Sequence, residues 1–322
     1  MNKKDEIIIL GMPNCLKLSK SIADKLKMPL SEVEKTVFAD GEAMILSKET
    51  VRNKDVFIIS SVSRPVNNNL MDLLLLIDSL KRGSAKSINV VITYYGYARQ
   101  DRKTGGRQPI GAKLVADLLQ VAGATKIIAV DLHNEAIQGF FNIPSDDLKG
   151  AYALAKNIKE YNDKFTIVSP DHGGAVRARM LAKLISDDIK ICIIDKRRTG
   201  PNETEVLGLI GNIEDQNAVI IDDIIDTGGT IIKAAKSLKQ HGAKKIVLAA
   251  THGIFSKGFE IFEECDEIDS VIITDSIDNY DLAKKFKKLK IVSLDNILSE
   301  VIKCQINGRS VSDLYEDIAK KL

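Results

Sequence analysis

Short apolar runs rich in β-branched residues alternate with amphipathic stretches along most of this 322-residue chain. Such runs predict buried strands, and the stretches between them predict helices that connect the strands of a mostly parallel sheet. The predicted strands are 6–10, 55–60, 87–94, 126–131, 165–169, 189–195, 218–221, 245–250 and 270–274, and the predicted helices include 16–26, 68–82, 111–121, 173–185 and 230–241. The alternation therefore indicates an α/β fold.

The chain also contains a weak internal repeat. Residues 56–94 resemble residues 219–252, and each segment reads as a strand, a loop, a helix, a glycine turn and a second strand. A repeat of this length indicates duplication, although all α/β units share this order and convergence is the alternative. We expect two domains of one fold, 1–149 and 150–322, with the last ~15 residues packing back on the N-terminal domain.

The charge balance excludes several classes of partner. Lys and Arg number 46 against 44 Asp and Glu, a formal charge of +2, so neither nucleic acid nor an anionic membrane surface is an expected partner. The apolar run 7–10 is too short for a signal sequence or a membrane span, and we expect a cytoplasmic protein. The four scattered cysteines predict buried, reduced thiols rather than disulfides or a metal cluster.

Segment 219–230 concentrates the polar residues that suggest chemistry. It reads VIIDDIIDTGGT, so an apolar strand ends in two carboxylates, a turn follows, and a helix is expected to begin at Thr230. Ligands of open α/β sheets bind at the carboxyl ends of the strands. Gly228 and Gly229 have no Cβ to block a close approach, and the N–H groups at a helix start converge on one place. This turn is suited to a phosphate group.

The carboxylates of Asp222 and Asp223 suit a different ligand, because they would repel a phosphate. Carboxylate oxygens accept hydrogen bonds from sugar hydroxyls or bind a cation. A simpler interpretation makes the acids helix N-caps and the glycines an ordinary turn, but three Asp, two Gly and two Thr are more than a cap requires. A phosphorylated sugar satisfies both halves of the segment.

Segment 219–230 resembles the phosphoribosyl diphosphate signature of the type I phosphoribosyltransferase superfamily, and on this motif alone the chain resembles a phosphoribosyltransferase. Five other segments, in order along nearly the whole chain, resemble the ribose-phosphate pyrophosphokinase family. They are 38–42 (FADGE), 94–103 (YYGYARQDRK), 131–133 (DLH), 170–174 (PDHGG) and 195–198 (DKRR). This resemblance implies two similar type I phosphoribosyltransferase-like domains.

The resemblance also implies roles for individual residues. Segments 38–42 and 94–103 imply ATP binding, the first from a neighbouring subunit, although four cations beside aromatics also suit a nucleic-acid patch. Segments 131–133 and 170–174 imply a Mg²⁺ site, and segment 195–198 a catalytic loop. The implied residues are Phe38, Asp40, Gly41, Glu42, Arg99, Gln100, Asp101 and Lys103 for ATP; His133 and Asp171, with His172 nearby, for the metal; Lys196 and Arg198 for catalysis; and Arg198, Asp222, Asp223, Asp226, Thr227, Gly228, Gly229 and Thr230 for ribose 5-phosphate.

The implied activity is transfer of the βγ-diphosphate of ATP to the 1-hydroxyl of ribose 5-phosphate, with Mg²⁺ as cofactor. The resemblance further implies a homo-oligomer, a hexamer, because Phe38 would complete a neighbour's site. Two alternatives stay open. A phosphoribosyltransferase does not need the segments around Phe38, Arg99 and Lys196, and a non-catalytic regulatory homologue is expected to have lost Lys196 or Asp171.

Overall fold

A computed structural model of the chain describes residues 6–159, 165–200 and 203–321, of which residues 196–200, 203–207 and 321 are described by their backbone. The chain forms two compact units. The first contains the residues up to Lys149 together with two short later segments, Ser276–Asp278 and Leu298–Lys303. The second contains Gly150–Asp275, Asn279–Ile297 and the residues from Cys304 on. Both units are mixed α/β, so the predicted fold class is confirmed.

A parallel sheet of six strands forms the centre of the first unit, in the order β2-β1-β5-β6-β7-β8. Parallel strands are covered on both faces, which explains their continuous apolar runs. Ile8, Ile58 and Val90 lie in one core cluster, and their neighbours Ile9 and Ile59 are buried as well. The strands are β1 Ile7–Gly11, β2 Leu30–Ser31, β5 Asp55–Ser61, β6 Ser87–Tyr94, β7 Lys126–Val130 and β8 Ser145–Leu148.

A hairpin of β3 (Val33–Val37) and β4 (Ala43–Ser47) forms a separate two-stranded sheet in this unit. Ile45 of the hairpin is buried in the core cluster, and Lys35 pairs with Asp72 at 2.5 Å. Asp72 lies on a helix beneath the hairpin, so helix packing rather than sheet hydrogen bonds holds the hairpin in place. The helices of this part of the chain are α1 Leu16–Leu26, α2 Val66–Arg82 and α3 Gly111–Ala122.

A short segment from the distant part of the chain completes the first unit. The carbonyl oxygen of Ser276 accepts hydrogen bonds from Ser61 Oγ at 2.9 Å and from Thr93 Oγ1 at 2.7 Å. All three side chains are buried. The hydroxyl of Ser61 therefore relies on residue 276 for its acceptor, whereas Thr93 Oγ1 also lies 3.3 Å from Ser60 O.

A sheet of seven strands forms the centre of the second unit, in the order β11-β10-β9-β12-β13-β14-β15. Its neighbouring strands are parallel except β10 and β11, which are antiparallel. The strands are β9 Phe165–Ser169, β10 Ile191–Gly200, β11 Glu203–Ile210, β12 Asn217–Ile225, β13 Ile246–Gly253, β14 Ser270–Thr274 and β15 Leu289–Val292.

Alternating residues of the second sheet face two different cores. Ile220 and Leu248 belong to a cluster that contains Phe259 and Phe262, whereas Val219 and Val247 lie in a cluster with Leu181. The helices of this part of the chain are α4 Ala151–Lys159, α5 Ala175–Ile185, α6 Gly229–Gln240, α7 Glu260–Glu263, α8 Tyr280–Ala283, α9 Asp295–Asn307 and α10 Val311–Lys321.

The C-terminal helix and the other residues from Cys304 on belong to the second unit, and Leu298–Lys303 belong to the first. Within the second unit, the tilted rings of Tyr315 and Tyr152 lie with their centroids 4.4 Å apart. The expected packing of the last ~15 residues on the N-terminal domain stays a prediction. All four cysteine thiols are buried, as predicted. Among the described residues, no helix combines the length and apolarity needed to cross a bilayer.

Candidate functional site

The carboxyl ends of three strands meet at one edge of the second sheet. Strand β9 lies between β10 and β12 and is parallel to both, so the residues that follow these strands are neighbours. The segment after β9 contains Asp171 and His172, and the end of β12 contains the predicted sugar-binding acids. The fold thus brings together the second unit's candidate residues from different parts of the sequence.

Asp222 and Asp223 lie inside β12 rather than after it, which corrects the predicted strand end at Ile221. The strand runs on to Ile225 because it continues to pair with β13, where Asp222 lies opposite Ala250. Burial raises the pKa of Asp222 well above its ordinary value, and the adjacent charge of Asp223 raises it further. Two neighbouring acids at the end of a buried strand need a positive partner.

Arg177 of α5 supplies that positive partner. Its Nη1 lies 3.0 Å from Asp222 Oδ1, and its Nη2 lies 3.4 Å from Asp223 Oδ1. Asp222 Oδ1 also accepts the backbone N–H of Asp223 at 2.9 Å. The charge of Arg177 opposes the rise in the pKa of Asp222, but burial and the neighbouring Asp223 outweigh it, and the pKa stays raised.

The turn after β12 leads directly into α6. Gly228 has a left-handed backbone (φ +80°), and α6 begins one residue earlier than predicted, at Gly229. Asp226 Oδ1 accepts the backbone N–H of Ser256 at 3.1 Å, while Thr227, Gly229 and Thr230 are exposed. Exposed N–H groups at the start of a helix favour an anion. The geometry therefore agrees with a phosphate-binding turn.

Two ordered contacts surround Asp171 and His172. Asp171 Oδ1 accepts the backbone N–H of Gly174 at 2.9 Å, and His172 Nε2 lies 2.9 Å from Asp195 Oδ1. The second contact joins the loop after β9 to β10, one residue before Lys196. Lys196 and Arg198 lie on β10, paired with Val206 and Thr204, but their side chains lie outside the part of the chain that the structure describes.

The tip of the β3–β4 hairpin presents the predicted ATP-binding residues of the first unit. Phe38 donates its backbone N–H to Glu42 O at 2.8 Å and accepts that of Gly41 at 3.0 Å. Asp40 Oδ1 accepts the N–H of Glu42 at 3.0 Å, and Gly41 has a φ of +93°. The Phe38 ring is 48% exposed. An ordered turn with an exposed aromatic ring is able to stack on a planar ligand.

The segment 94–103 follows β6 and contains both structural and exposed residues. Tyr95 is buried, its hydroxyl donates to Ala112 O at 3.0 Å, and its ring packs edge-on against Phe141. Arg99, Gln100 and Lys103 are exposed. Because Tyr95 is occupied inside the core, it offers no stacking face beside these cations.

The turn 131–133 lies beside that segment in the first unit. Asp101 Oδ2 accepts the Nδ2–H of Asn134 at 2.6 Å, so the loops after β6 and β7 meet. Asp131 has a left-handed backbone (φ +42°), and His133 is exposed. Within the described residues, no group of three or more His, Cys, Asp or Glu side chains is arranged to hold a metal ion.

Sequence reasoning missed Arg177 and the His172–Asp195 contact. Arg177 lies in the first turn of the helix that follows the 170–174 motif, and nothing in its immediate neighbours distinguishes it from Arg179. The order of strands identifies it, because β9 and β12 are adjacent although their residues are far apart in sequence. A predicted sheet order would have been the signal.

Comparison with known proteins agrees with this arrangement. Two family models match, the N-terminal domain of ribose phosphate pyrophosphokinase over residues 7–123 and the phosphoribosyl synthetase-associated domain over residues 186–316. A ribose-phosphate pyrophosphokinase of Mycoplasmopsis pulmonis is 64% identical, over 97% of each chain. One of Fusobacterium nucleatum is 48% identical over 93% of this chain and 95% of its own.

A solved structure gives the same result. The crystal structure of phosphoribosylpyrophosphate synthetase from Mycobacterium smegmatis is similar with a TM-score of 0.86 at 34% identity, covering 94% of this chain and 99% of its own. The resemblance predicted from six short segments is thereby confirmed over almost the full length of the protein. The chain belongs to the ribose-phosphate pyrophosphokinase family and is a diphosphotransferase.

Proposed function

We propose that this enzyme transfers the βγ-diphosphate of ATP to the 1-hydroxyl of ribose 5-phosphate, giving phosphoribosyl diphosphate and AMP. One observation supports this assignment most strongly. The acids Asp222 and Asp223 and the phosphate-binding turn at Gly228 follow one another at the end of a single strand, β12. Binding a sugar phosphate requires acceptors for the sugar hydroxyls and hydrogen-bond donors to the phosphate, placed a few ångströms apart.

The sugar phosphate occupies the second unit in this proposal. Asp222 and Asp223 accept the ribose hydroxyls, while the turn from Asp226 to Thr230 holds the 5-phosphate with backbone N–H groups and the Thr227 and Thr230 hydroxyls. The exposed positions of both threonines leave them accessible to a ligand. Arg198 is the further predicted contact of this subsite.

In this proposal, ATP binds to residues of the first unit. Arg99, Gln100, Asp101 and Lys103 bind the nucleotide of their own subunit, and the hairpin tip with Phe38, Asp40, Gly41 and Glu42 completes the site of a neighbouring copy. This arrangement requires a homo-oligomer, for which we propose a hexamer. The two units are then the two domains of each subunit, with the boundary between Lys149 and Gly150.

We further propose that the divalent cation on which the family depends is Mg²⁺, with Asp171 and His133 as its protein contacts. Both side chains are exposed at strand ends, and the carboxylate of Asp171 supplies the oxygen that Mg²⁺ prefers. The hydrogen bond from Gly174 orients that carboxylate. When bound, the cation neutralises charge on the transferred phosphates.

The transfer is an in-line displacement. A bond forms between the 1-oxygen of the sugar and the β-phosphorus, the bond from the β-phosphorus to the αβ-bridging oxygen breaks, AMP leaves, and the hydroxyl proton is released. Positioning and charge neutralisation catalyse such steps without a covalent nucleophile. Lys196 and Arg198 supply positive charge at the reacting phosphates, and Arg99 contributes from the nucleotide side.

Labelled ATP tests the proposal. The purified protein is incubated with ribose 5-phosphate, Mg²⁺ and ATP labelled at either the β or the γ position. AMP that forms only with the sugar present, with both labels on carbon 1, supports diphosphate transfer. Pyrophosphate release from phosphoribosyl diphosphate and a nucleobase, without AMP formation, would instead identify a phosphoribosyltransferase, and no reaction in either assay would favour a regulatory homologue.

A further inference from the structure

Arg177 contacts two carboxylates with its single planar guanidinium group. It lies in the first turn of α5, which follows β9, and the side chain reaches the neighbouring strand β12. One guanidinium nitrogen contacts each acid, at 3.0 Å for Asp222 and 3.4 Å for Asp223. A rigid fork that contacts two groups at once restricts the orientation of both.

The acids need this restraint because they are close together and shielded from water. The Asp223 side chain is only 6% exposed, and that of Asp222 is 31% exposed. Adjacent like charges at a buried strand end repel each other, so without a cation one of them would rotate away or take up a proton. Either change removes a hydrogen-bond acceptor from the site.

We propose that Arg177 is a positioning residue for the sugar, holding Asp222 and Asp223 in the orientation that accepts the ribose hydroxyls. The inference rests on the proposed function and adds to it the residue that selects a hydroxylated sugar. Arg177 acts through the two carboxylates rather than on the 5-phosphate. Discrimination between ribose 5-phosphate and its 2-deoxy analogue therefore depends on Arg177.

Steady-state kinetics of Arg177→Met, Arg177→Lys and the wild type test this inference. For Arg177→Met we expect the KM for ribose 5-phosphate to rise about 10- to 100-fold, by analogy with the loss of groups that orient metal-binding side chains. The KM for ATP should stay close to the wild-type value. Arg177→Lys should give an intermediate value, because a lysine keeps the charge but not the fork.

The 2-deoxy analogue distinguishes positioning from phosphate binding and from general damage to the fold. As a competitor of ribose 5-phosphate, 2-deoxyribose 5-phosphate should have an inhibition constant that rises much less in Arg177→Met than the KM for ribose 5-phosphate does. Equal increases for both sugars, or equal increases in the KM for ribose 5-phosphate and ATP, would overturn the inference. If Arg177→Met does not fold, the same comparison is made with Arg177→Lys.

Arg179→Met is the matched control. Arg179 lies two residues further along α5, is exposed, and makes no ion pair within the described part of the chain, so both KM values should be unchanged. A wild-type enzyme that forms no AMP from ATP and ribose 5-phosphate would overturn the proposed function together with this inference. An active wild type with a normal Arg177→Met variant would overturn the inference alone.

Discussion

The carboxylate of Asp147 accepts the backbone N–H of Leu132 at 2.9 Å, and this contact joins β8 to the turn that contains His133. The Asp147 side chain is 1% exposed and also pairs with Lys149 at 2.7 Å, which in turn lies 2.8 Å from Glu135. Burial raises the pKa of Asp147, and the charge of Lys149 opposes that rise. A buried acid thus supports the left-handed turn at Asp131.

Asp147→Ala should lower the free energy of unfolding by about 1–3 kcal/mol, because the buried N–H of Leu132 loses its acceptor and Lys149 loses one of its two carboxylate partners. Urea denaturation followed by circular dichroism measures this change. The control is Asp78→Ala, which removes an exposed pair with Arg82 and should change the free energy of unfolding much less. Equal losses in the two variants would contradict a supporting role for Asp147.

Loss of the Lys35–Asp72 pair should weaken ATP binding selectively. The pair holds the separate hairpin against α2, and the hairpin tip contains Phe38. For Asp72→Asn we expect the KM for ATP to rise between about 10- and 100-fold, the usual effect of misplacing a binding group. The KM for ribose 5-phosphate should not change. Initial rates at varied ATP concentration measure the effect.

Two further variants sharpen that experiment. The double variant Lys35→Asp with Asp72→Lys restores opposite charges and should recover part of the ATP affinity. Lys48→Met removes the exposed pair with Glu32 at the other end of the same hairpin and should leave kinetics unaltered. An unchanged KM for ATP in Asp72→Asn would show that Ile45 and the rest of the packing hold the hairpin without the ion pair.

Gly228→Ala should damage the phosphate-binding turn. A Cβ at this position would lie 2.7 Å from both Ile261 Cδ1 and Phe262 Cζ, and the φ of +80° is unfavourable for alanine. We expect a cost of about 1–3 kcal/mol in stability and a higher KM for ribose 5-phosphate. Thermal unfolding and kinetics measure the two effects. Gly139→Ala, where the added Cβ meets nothing within 4 Å, should match the wild type.

Lys196→Ala should lower kcat by a few orders of magnitude, by analogy with the roughly 3–4 kcal/mol attributed to other charge-stabilising donors. The KM values should change less, because the positive charge acts on the reacting phosphates in the transition state. Single-turnover formation of AMP measures the chemical step. Lys190→Ala, an exposed lysine just before β10, is the comparison variant. Turnover near the wild-type rate in Lys196→Ala would remove this residue from the mechanism.

Asp275 should make stability depend on pH. Burial raises its pKa above the ordinary 3.8, although Ser293, Leu294 and Tyr280 donate hydrogen bonds to it. The folded state therefore binds the proton more tightly than the unfolded state. The contribution of this carboxyl to stability is fully present below pH 3.8. It is lost as the pH rises through the raised pKa of Asp275 in the folded state.

Comparison with Asp275→Asn isolates that contribution, because the amide does not titrate. The difference in urea midpoint, wild type minus variant, should grow as the pH is lowered from neutrality towards the ordinary value of 3.8. A difference for Asp275→Asn that shrinks on acidification would mean that its hydrogen bonds outweigh burial.

The regular elements were largely predictable from the sequence because their apolar runs are continuous and local. Strands Ser87–Tyr94, Phe165–Ser169 and Ser270–Thr274 and helix Leu16–Leu26 have the predicted bounds. The end of β12 was not predictable in the same way. Carboxylates inside a buried strand are stable there only when a cation from another element faces them. For Asp222 that cation is Arg177, which lies on a helix 45 residues away in sequence.

The candidate site was predictable as a set of motifs but not as an arrangement. The conformation of the turn at Gly228 could be predicted from the residues of the turn itself. The hairpin around Phe38, in contrast, is held by Asp72, which is 37 residues from its partner Lys35. Strand β11 was also missed, and it pairs with β10 as the antiparallel edge of the second sheet. Contacts between distant residues decide these features.

The partner that Ser276 provides for Ser61 and Thr93 has a consequence for biosynthesis. These hydrogen bonds span 215 and 183 residues. A nascent chain that has released the first unit's strands from the ribosome can pair Thr93 with Ser60 O but still lacks the acceptor of the buried Ser61 hydroxyl. An unsatisfied buried polar group costs about 1–3 kcal/mol. The N-terminal half of the chain is therefore incompletely stabilised until translation has passed residue 276. A messenger RNA truncated before that codon should yield a protease-sensitive product.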